Sequence, residues 1–137
     1  MELSRAGYLL IERPIGNLWI GRFTRPDLRQ PLDGVGDGDS ELYLDMLEAV
    51  LEPMRAGEVL ILNLGLVYYF PTAFYDVLIQ VRAQILHKEA RLILCGFSPE
   101  IQENIRLFQG DKIFEITHTE EQATRRVLEP ASATEFQ

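Results

Sequence analysis

The stretch that decides the fold runs from Gly57 to Gly96. It begins Gly57-Glu58-Val59-Leu60-Ile61-Leu62-Asn63-Leu64 and continues through Val67-Tyr68-Tyr69-Phe70-Pro71-Thr72-Ala73-Phe74. A long amphipathic run then reaches Lys88, and Ala90-Arg91-Leu92-Ile93-Leu94-Cys95-Gly96 follows. Val59 to Leu64 is apolar at nearly every position, the mark of a strand covered on both faces and parallel to its neighbours. Arg91 to Gly96 reads the same way. Between them, Phe74, Val77, Leu78, Val81, Ile85 and Leu86 recur at helical spacing, so Thr72 to Lys88 is predicted to be a helix with one buried face.

Working outward, Tyr8–Glu12 and Leu18–Phe23 are β-rich runs around the turn-forming Arg13-Pro14-Ile15-Gly16-Asn17, which predicts a hairpin. Arg25 to Asp39 reads as a long surface loop. In Ser40 to Met54 the residues Leu42, Met46, Leu47, Val50, Leu51 and Met54 form a helical stripe, with Asp39 or Ser40 as the N-cap. Downstream, Ser98-Pro99-Glu100 opens a helix whose inner residues are Ile101, Ile105 and Phe108 and which Gly110 ends. Ile113–Thr117 is the last strand. Thr119-Glu120-Glu121-Gln122 is a capping box for a short final helix, and Pro130–Gln137 is a polar, disordered tail. The order β-β-α-β-α-β-α-β-α requires an α/β domain with a mainly parallel sheet. One domain is expected over residues 1–129, followed by a tail at 130–137.

Bulk properties narrow the function. The 137 residues carry 21 acidic against 13 basic side chains, a net charge of −8. Phosphate backbones need clustered Lys and Arg, so direct nucleic-acid binding is not expected. No apolar stretch approaches the ~18 residues of a membrane span, and the first residues lack the apolar core of a secretory signal, which points to the cytoplasm. The single cysteine, Cys95, excludes an internal disulfide and reads as a small buried hydrophobe. Asp33 to Glu41 looks like a calcium loop, but the ligand spacing fails. His87 and His118 lie on separate elements without a third ligand, which does not define a zinc site. His87 and Lys88 are read instead as partners of the helix dipole. No catalytic constellation and no cofactor fingerprint is present, so a non-enzymatic role is expected.

Element order and hydrophobic pattern from about residue 8 to 128, most clearly from Glu58 to Phe114, resemble the STAS domain family of anti-sigma-factor antagonists. The resemblance implies a β-α superhelix, with a sheet of about five strands and the helices stacked on one side. It implies a signalling protein that binds an anti-sigma factor or related switch kinase. Many members carry an Asp-Ser-Ser/Thr-Gly quartet after the third strand, whose first serine the kinase phosphorylates. Strand set against strand, Pro71 falls on the aspartate, Thr72 on that serine, Ala73 on the next hydroxyl residue and Phe74 on the glycine. Thr72 is thus the candidate phosphorylation site, and without the aspartate simple binding carries over more readily than phosphorylation. Phe74 would add bulk where a partner approaches.

Thr72 also has a case from its own chemistry. A hydroxyl at the mouth of a helix sits where unpaired N–H groups favour negative charge, and a phosphate there would add about −1.5 to −2 charges. The simpler alternative is that Thr72 only caps the helix. Tyr68, Tyr69, Phe70, Pro71 and Tyr75 crowd the same corner as candidate partner-binding residues, with either Tyr69 or Tyr75 expected to be accessible. Two other readings stay open: a module sensing a nucleotide or lipid among these rings, and a self-associating scaffold subunit of a signalling assembly.

Overall fold

The computed structural model describes residues 2–3, 9–24, 39–67 and 72–128, with the backbone alone at 2–3, 39–42 and 72–73. The loop read at 25–38, the corner at 68–71 and the tail at 130–137 lie outside the described residues. The strands are β1 (Glu2–Leu3), β2 (Leu9–Ile15), β3 (Leu18–Phe23), β4 (Val59–Asn63), β5 (Arg91–Cys95) and β6 (Glu115–Thr117). The helices are α1 (Asp39–Leu51), α2 (Thr72–His87), α3 (Pro99–Leu107) and α4 (Glu120–Leu128), with a 3₁₀ turn at Gly110–Lys112.

Among the described residues these strands form one sheet in chain order, β1 to β6. The β2–β3 hairpin is antiparallel, and β1 adds an antiparallel edge. From β3 onward every pairing is parallel, with Leu60 beside Trp19 on one side and Leu92 on the other. The mainly parallel α/β architecture expected from the sequence is the one observed. The two-residue β1 and the 3₁₀ turn carry too few residues to show a period.

Alternation along the strands sorts the core into two layers, because successive side chains point to opposite faces. Leu60, Leu62, Leu92 and Leu94 pack under α1, α2 and α3. Val59, Ile61, Ile93 and Cys95 point the other way and meet Ala123, with Val127 packed alongside. The expectation of helices on one side therefore holds for α1 to α3, while α4 crosses the opposite face. An apolar run as continuous as β4 demands that second cover, since exposing Ile61 and Ile93 to water would cost about 1.5–3 kcal/mol each.

Helix α2 lies between its neighbours rather than against one wall. Phe74 is fully buried, edge-on to Phe23 at 5.5 Å and to Tyr43 at 5.4 Å between centroids. Tyr75, the next residue, turns toward α3, stacking on Phe108 at 5.0 Å and meeting Phe114 edge-on at 6.0 Å. Two readings of the inner stripes change. Leu86 is 52 % exposed, and Phe108, read as an inner residue of α3, is 49 % exposed and caps that helix. Phe108 is held by the Tyr75 ring rather than by the sheet.

Lys88 also differs from its reading. Its ammonium donates to the carbonyls of Leu51, Glu52 and Met54, closing the C-terminal end of α1 rather than of its own helix. Two caps formed as read. Ser98 accepts from the Ile101 N–H at 3.2 Å, and Thr119 from the Gln122 N–H at 3.1 Å. The Gln122 side chain reaches back to the His118 N–H at 3.0 Å, one residue before the cap.

Phe74 sets the spacing of α1, α2 and β3 together. Phe74→Ala should lower the unfolding free energy by about 3–5 kcal/mol in urea titrations. Leu107→Ser, at a side chain 71 % exposed, should change it by no more than about 0.5 kcal/mol.

Candidate functional site

The carboxyl ends of β3, β4, β5 and β6 form one rim, where loops of parallel sheets place their functional groups. From β4 the chain leaves through Asn63, Leu64, Gly65, Leu66 and Val67, and α2 opens at Thr72. The backbone of Thr72 is thus the first residue of a helix, where N–H groups have no intrahelical partner. Tyr68, Tyr69, Phe70 and Pro71 lie outside the described residues.

Tyr75 is 6 % exposed and its hydroxyl donates to the Phe108 carbonyl at 3.4 Å. Burial, then the charges of Asp111 and Asp76, raise its pKa. Of the pair Tyr69 and Tyr75, the second is therefore not the accessible ring. Phe74, expected to add bulk on the docking face, is instead sealed in the core. Helical geometry explains both: successive residues are turned by about 100°, and α2 has helices on two sides, so two neighbouring rings can both be internal.

The structure brings forward residues that the sequence reading passed over. Leu66 is 66 % exposed in the loop between β4 and α2. Beside it stands a polar cluster joining four elements. Arg22 on β3 grips Glu120, at the start of α4, with two parallel bonds, Nε to Oε1 at 2.8 Å and Nη2 to Oε2 at 2.6 Å. Its remaining terminal nitrogen donates to Glu12 on β2 at 2.8 Å. Asn63, ending β4, uses both ends of its amide. Nδ2 donates to Glu120 Oε1 at 2.9 Å, and Oδ1 accepts from the Gly65 N–H at 2.7 Å.

Two glycines stand close to the oxygen of that amide, Gly65 and Gly96. Gly96, the residue after β5, has φ +82°, and a Cβ there would lie 2.6 Å from Asn63 Oδ1 and 2.9 Å from the Gly65 nitrogen. The position needs glycine on both counts. The available signals in the sequence were polar residues ending or interrupting apolar strands, Arg22 and Asn63, and a glycine after the second apolar run. Nothing local ties Arg22 to a residue far along the chain.

The electrostatics follow from these contacts. The bonds from Arg22, more than the one from Asn63, hold the Glu120 carboxyl below its ordinary range against the opposing effect of burial. Arg22 is raised in turn, first by Glu120 and then by Glu12. Burial, with the nearby Glu120 charge, pushes the Cys95 thiol up to about 12, which leaves it unreactive at neutral pH.

A separate groove of about 370 Å³ opens beside β6, between α3 and α4, and is lined in part by Arg106, His118, Gln122 and Arg126. Its arginines are already engaged, Arg106 with Glu103 at 2.8 Å and Arg126 with Glu115 at 3.0 Å. Among the described residues no helix is long and apolar enough to cross a membrane.

Comparison with known proteins agrees with this architecture. The family model of the STAS domain matches residues 39–123, and the chain belongs to that family. Among solved structures, it is similar to an anti-sigma-factor antagonist (STAS) domain protein from Planctomyces limnophilus. That match has a TM-score of 0.71 at 14 % identity, over 88 % of this chain and 97 % of the other. A putative anti-sigma factor antagonist from Thermotoga maritima gives 0.67 at 12 %, over 90 % and 97 %. The anti-sigma factor antagonist SpoIIAA in its unphosphorylated form gives 0.61 at 15 %, over 88 % and 98 %. At such identities the likeness establishes the fold alone. A search of curated proteins finds no match.

The depressed carboxyl of Glu120 gives a pH signature. Its folded pKa lies below the ordinary 4.5, so its contribution is complete above that value and is lost as pH falls through the folded pKa. Glu120→Gln should be less stable than the parent at pH 7. The gap, read from urea midpoints, should close on acidification; a gap that is constant from pH 7 to 3 would contradict this.

Proposed function

We propose that this chain is a regulatory protein without covalent chemistry of its own, acting in the cytoplasm. It docks on a protein partner, an anti-sigma factor or related switch kinase, through the loop after β4 and the first turn of α2. The observation that carries this reading is the exposed Leu66, 66 % accessible at the sheet's carboxyl rim shortly before Thr72. An apolar side chain held in water on a loop fed by a rigid strand suits burial by another molecule. The family relationship supports a protein partner, since the similar solved structures are of anti-sigma-factor antagonists.

In this reading Thr72 is the switch. Phosphate at the start of α2 would be tolerated by the helix, whose dipole favours negative charge there. It would oppose docking, because the added charge must be stripped of water when the corner is buried. The relative solved "in its unphosphorylated form" supports examining that modification in this chain.

Two experiments separate binding from switching. In pull-downs from the native cell, Leu66→Asp and Thr72→Asp should each reduce partner capture by about tenfold or more, a loss of at least ~1.4 kcal/mol. Leu107→Asp, on the exposed end of α3, should bind as the parent does. Equal capture by all four proteins removes the docking site. Separately, incubation with candidate switch kinases should yield a phosphothreonine peptide containing Thr72. Undiminished phosphate uptake by Thr72→Ala would defeat the switch and leave docking standing.

A further inference from the structure

Helix α4 lies on the face of the sheet opposite α2, yet one side chain connects it to the loop that precedes Thr72. We infer that Asn63 is a positioning residue that transmits the seat of α4 to this loop. Displacement of α4 then loosens the segment from Gly65 onward without unfolding the sheet. What the loop does for a partner rests on the function proposed above; the coupling itself does not.

The geometry is a short relay. Glu120 is fixed by two bonds from Arg22, so its Oε1 is a stationary acceptor 2.9 Å from Asn63 Nδ2. With its amide nitrogen engaged there, Asn63 must present Oδ1 on the other side, where it takes the Gly65 N–H at 2.7 Å. Because an amide is planar, satisfying one end sets the direction of the other. Gly96, without a Cβ, leaves the room that Oδ1 occupies, since a Cβ there would lie 2.6 Å from it. Loss of the Glu120 bond frees the amide to rotate, and Gly65 loses the acceptor that bends the chain away from β4.

The other groups around the relay fit this role. The Leu64 N–H is committed to the Cys95 carbonyl at 2.9 Å, and the Val67 N–H to the Leu64 carbonyl at 3.0 Å. At Gly65, among the described residues of this loop, a side chain rather than the backbone takes the N–H and sets the path. Apart from the bonds to Glu120 and the Arg126–Glu115 pair at 3.0 Å, helix α4 has a small apolar seat: Ala123 is its buried residue and Val127 is partly covered. Its position on the sheet therefore depends on these polar bonds more than on burial.

The test reads amide exchange by NMR on the isolated chain, so it needs no partner and fails independently of the docking proposal. Glu120→Ala should speed exchange at Gly65 roughly five- to tenfold, the effect of one lost hydrogen bond. Amides of Leu60, Ile61 and Leu62 should stay within about twofold of the parent. Glu120→Gln keeps one oxygen for Asn63 but turns its amide NH2 against Arg22 Nη2, and should leave Gly65 between the parental and the alanine rate. Glu120→Asp, one methylene shorter, should open Gly65 as alanine does even if the alanine variant fails to fold. Unchanged Gly65 exchange in the alanine or aspartate variant overturns the inference. So does parallel acceleration throughout β4, or a glutamine variant as fast as alanine.

Discussion

A strand that is apolar on both faces obliges the fold to supply two covers, and β4 and β5 impose that obligation on everything around them. One cover is generous, since α1, α2 and α3 bring Tyr43, Leu47, Phe74, Leu78, Val81 and Ile105 to the same layer. The other is thin. Helix α4 contributes Ala123 and part of Val127, far too little apolar area to seat nine residues by burial alone. Its charged ends make up the difference. Glu120 in the first turn meets Arg22, and Arg126 in the last turn meets Glu115, which also receives two bonds from Arg91 at 2.8 and 2.6 Å. Acid at the amino end and base at the carboxyl end also suit the helix dipole.

Such partly exposed ion pairs contribute modestly to stability, and the bidentate ones contribute mainly direction. That division of labour fits the two layers. Burial under α1 to α3 sets how stable the sheet is, while the arginine–carboxylate pairs set where α4 lies across it. Glu58 plays a comparable part at the opposite rim, accepting from the Trp19 ring nitrogen and the Arg55 N–H, each at 3.0 Å, with Arg13 at 3.3 Å. The Arg55 bond, ahead of the others, keeps this nearly buried carboxyl below its ordinary range.

Most of the scaffold was legible because it is written in short-range patterns. The apolar runs of β4 and β5, the stripe of α2 and the Ser98 and Thr119 caps are each set by residues within a turn or a strand of one another. The position of α4 was legible in principle, since Ile61 and Ile93 had to be covered by something, but the resemblance to a one-sided stack hid it. The Arg22–Glu120 pair was not legible, because partners 98 residues apart meet only once the crossovers are built. Phe74 and Tyr75 show a third kind of limit. A single-face stripe describes a helix with one neighbour, and α2 has a neighbour on each flank.

That arrangement bears on how the corner can work. Phe74 and Tyr75 lie two and three residues after Thr72, and both are locked, one among Phe23 and Tyr43, the other between Phe108 and Phe114. The first turn of α2 is therefore fixed from inside and has little freedom to shift when something binds. Among the described residues of this rim, the solvent-facing positions lie upstream, at Gly65 and Leu66. A charge added at Thr72 would thus act on what approaches the corner and not on the helix that carries it. Movement of α4 would act on the loop and leave the helix start in place. Two such inputs would reach the same surface by separate routes, one through the field at a rigid helix end and one through the path of the chain that leads to it.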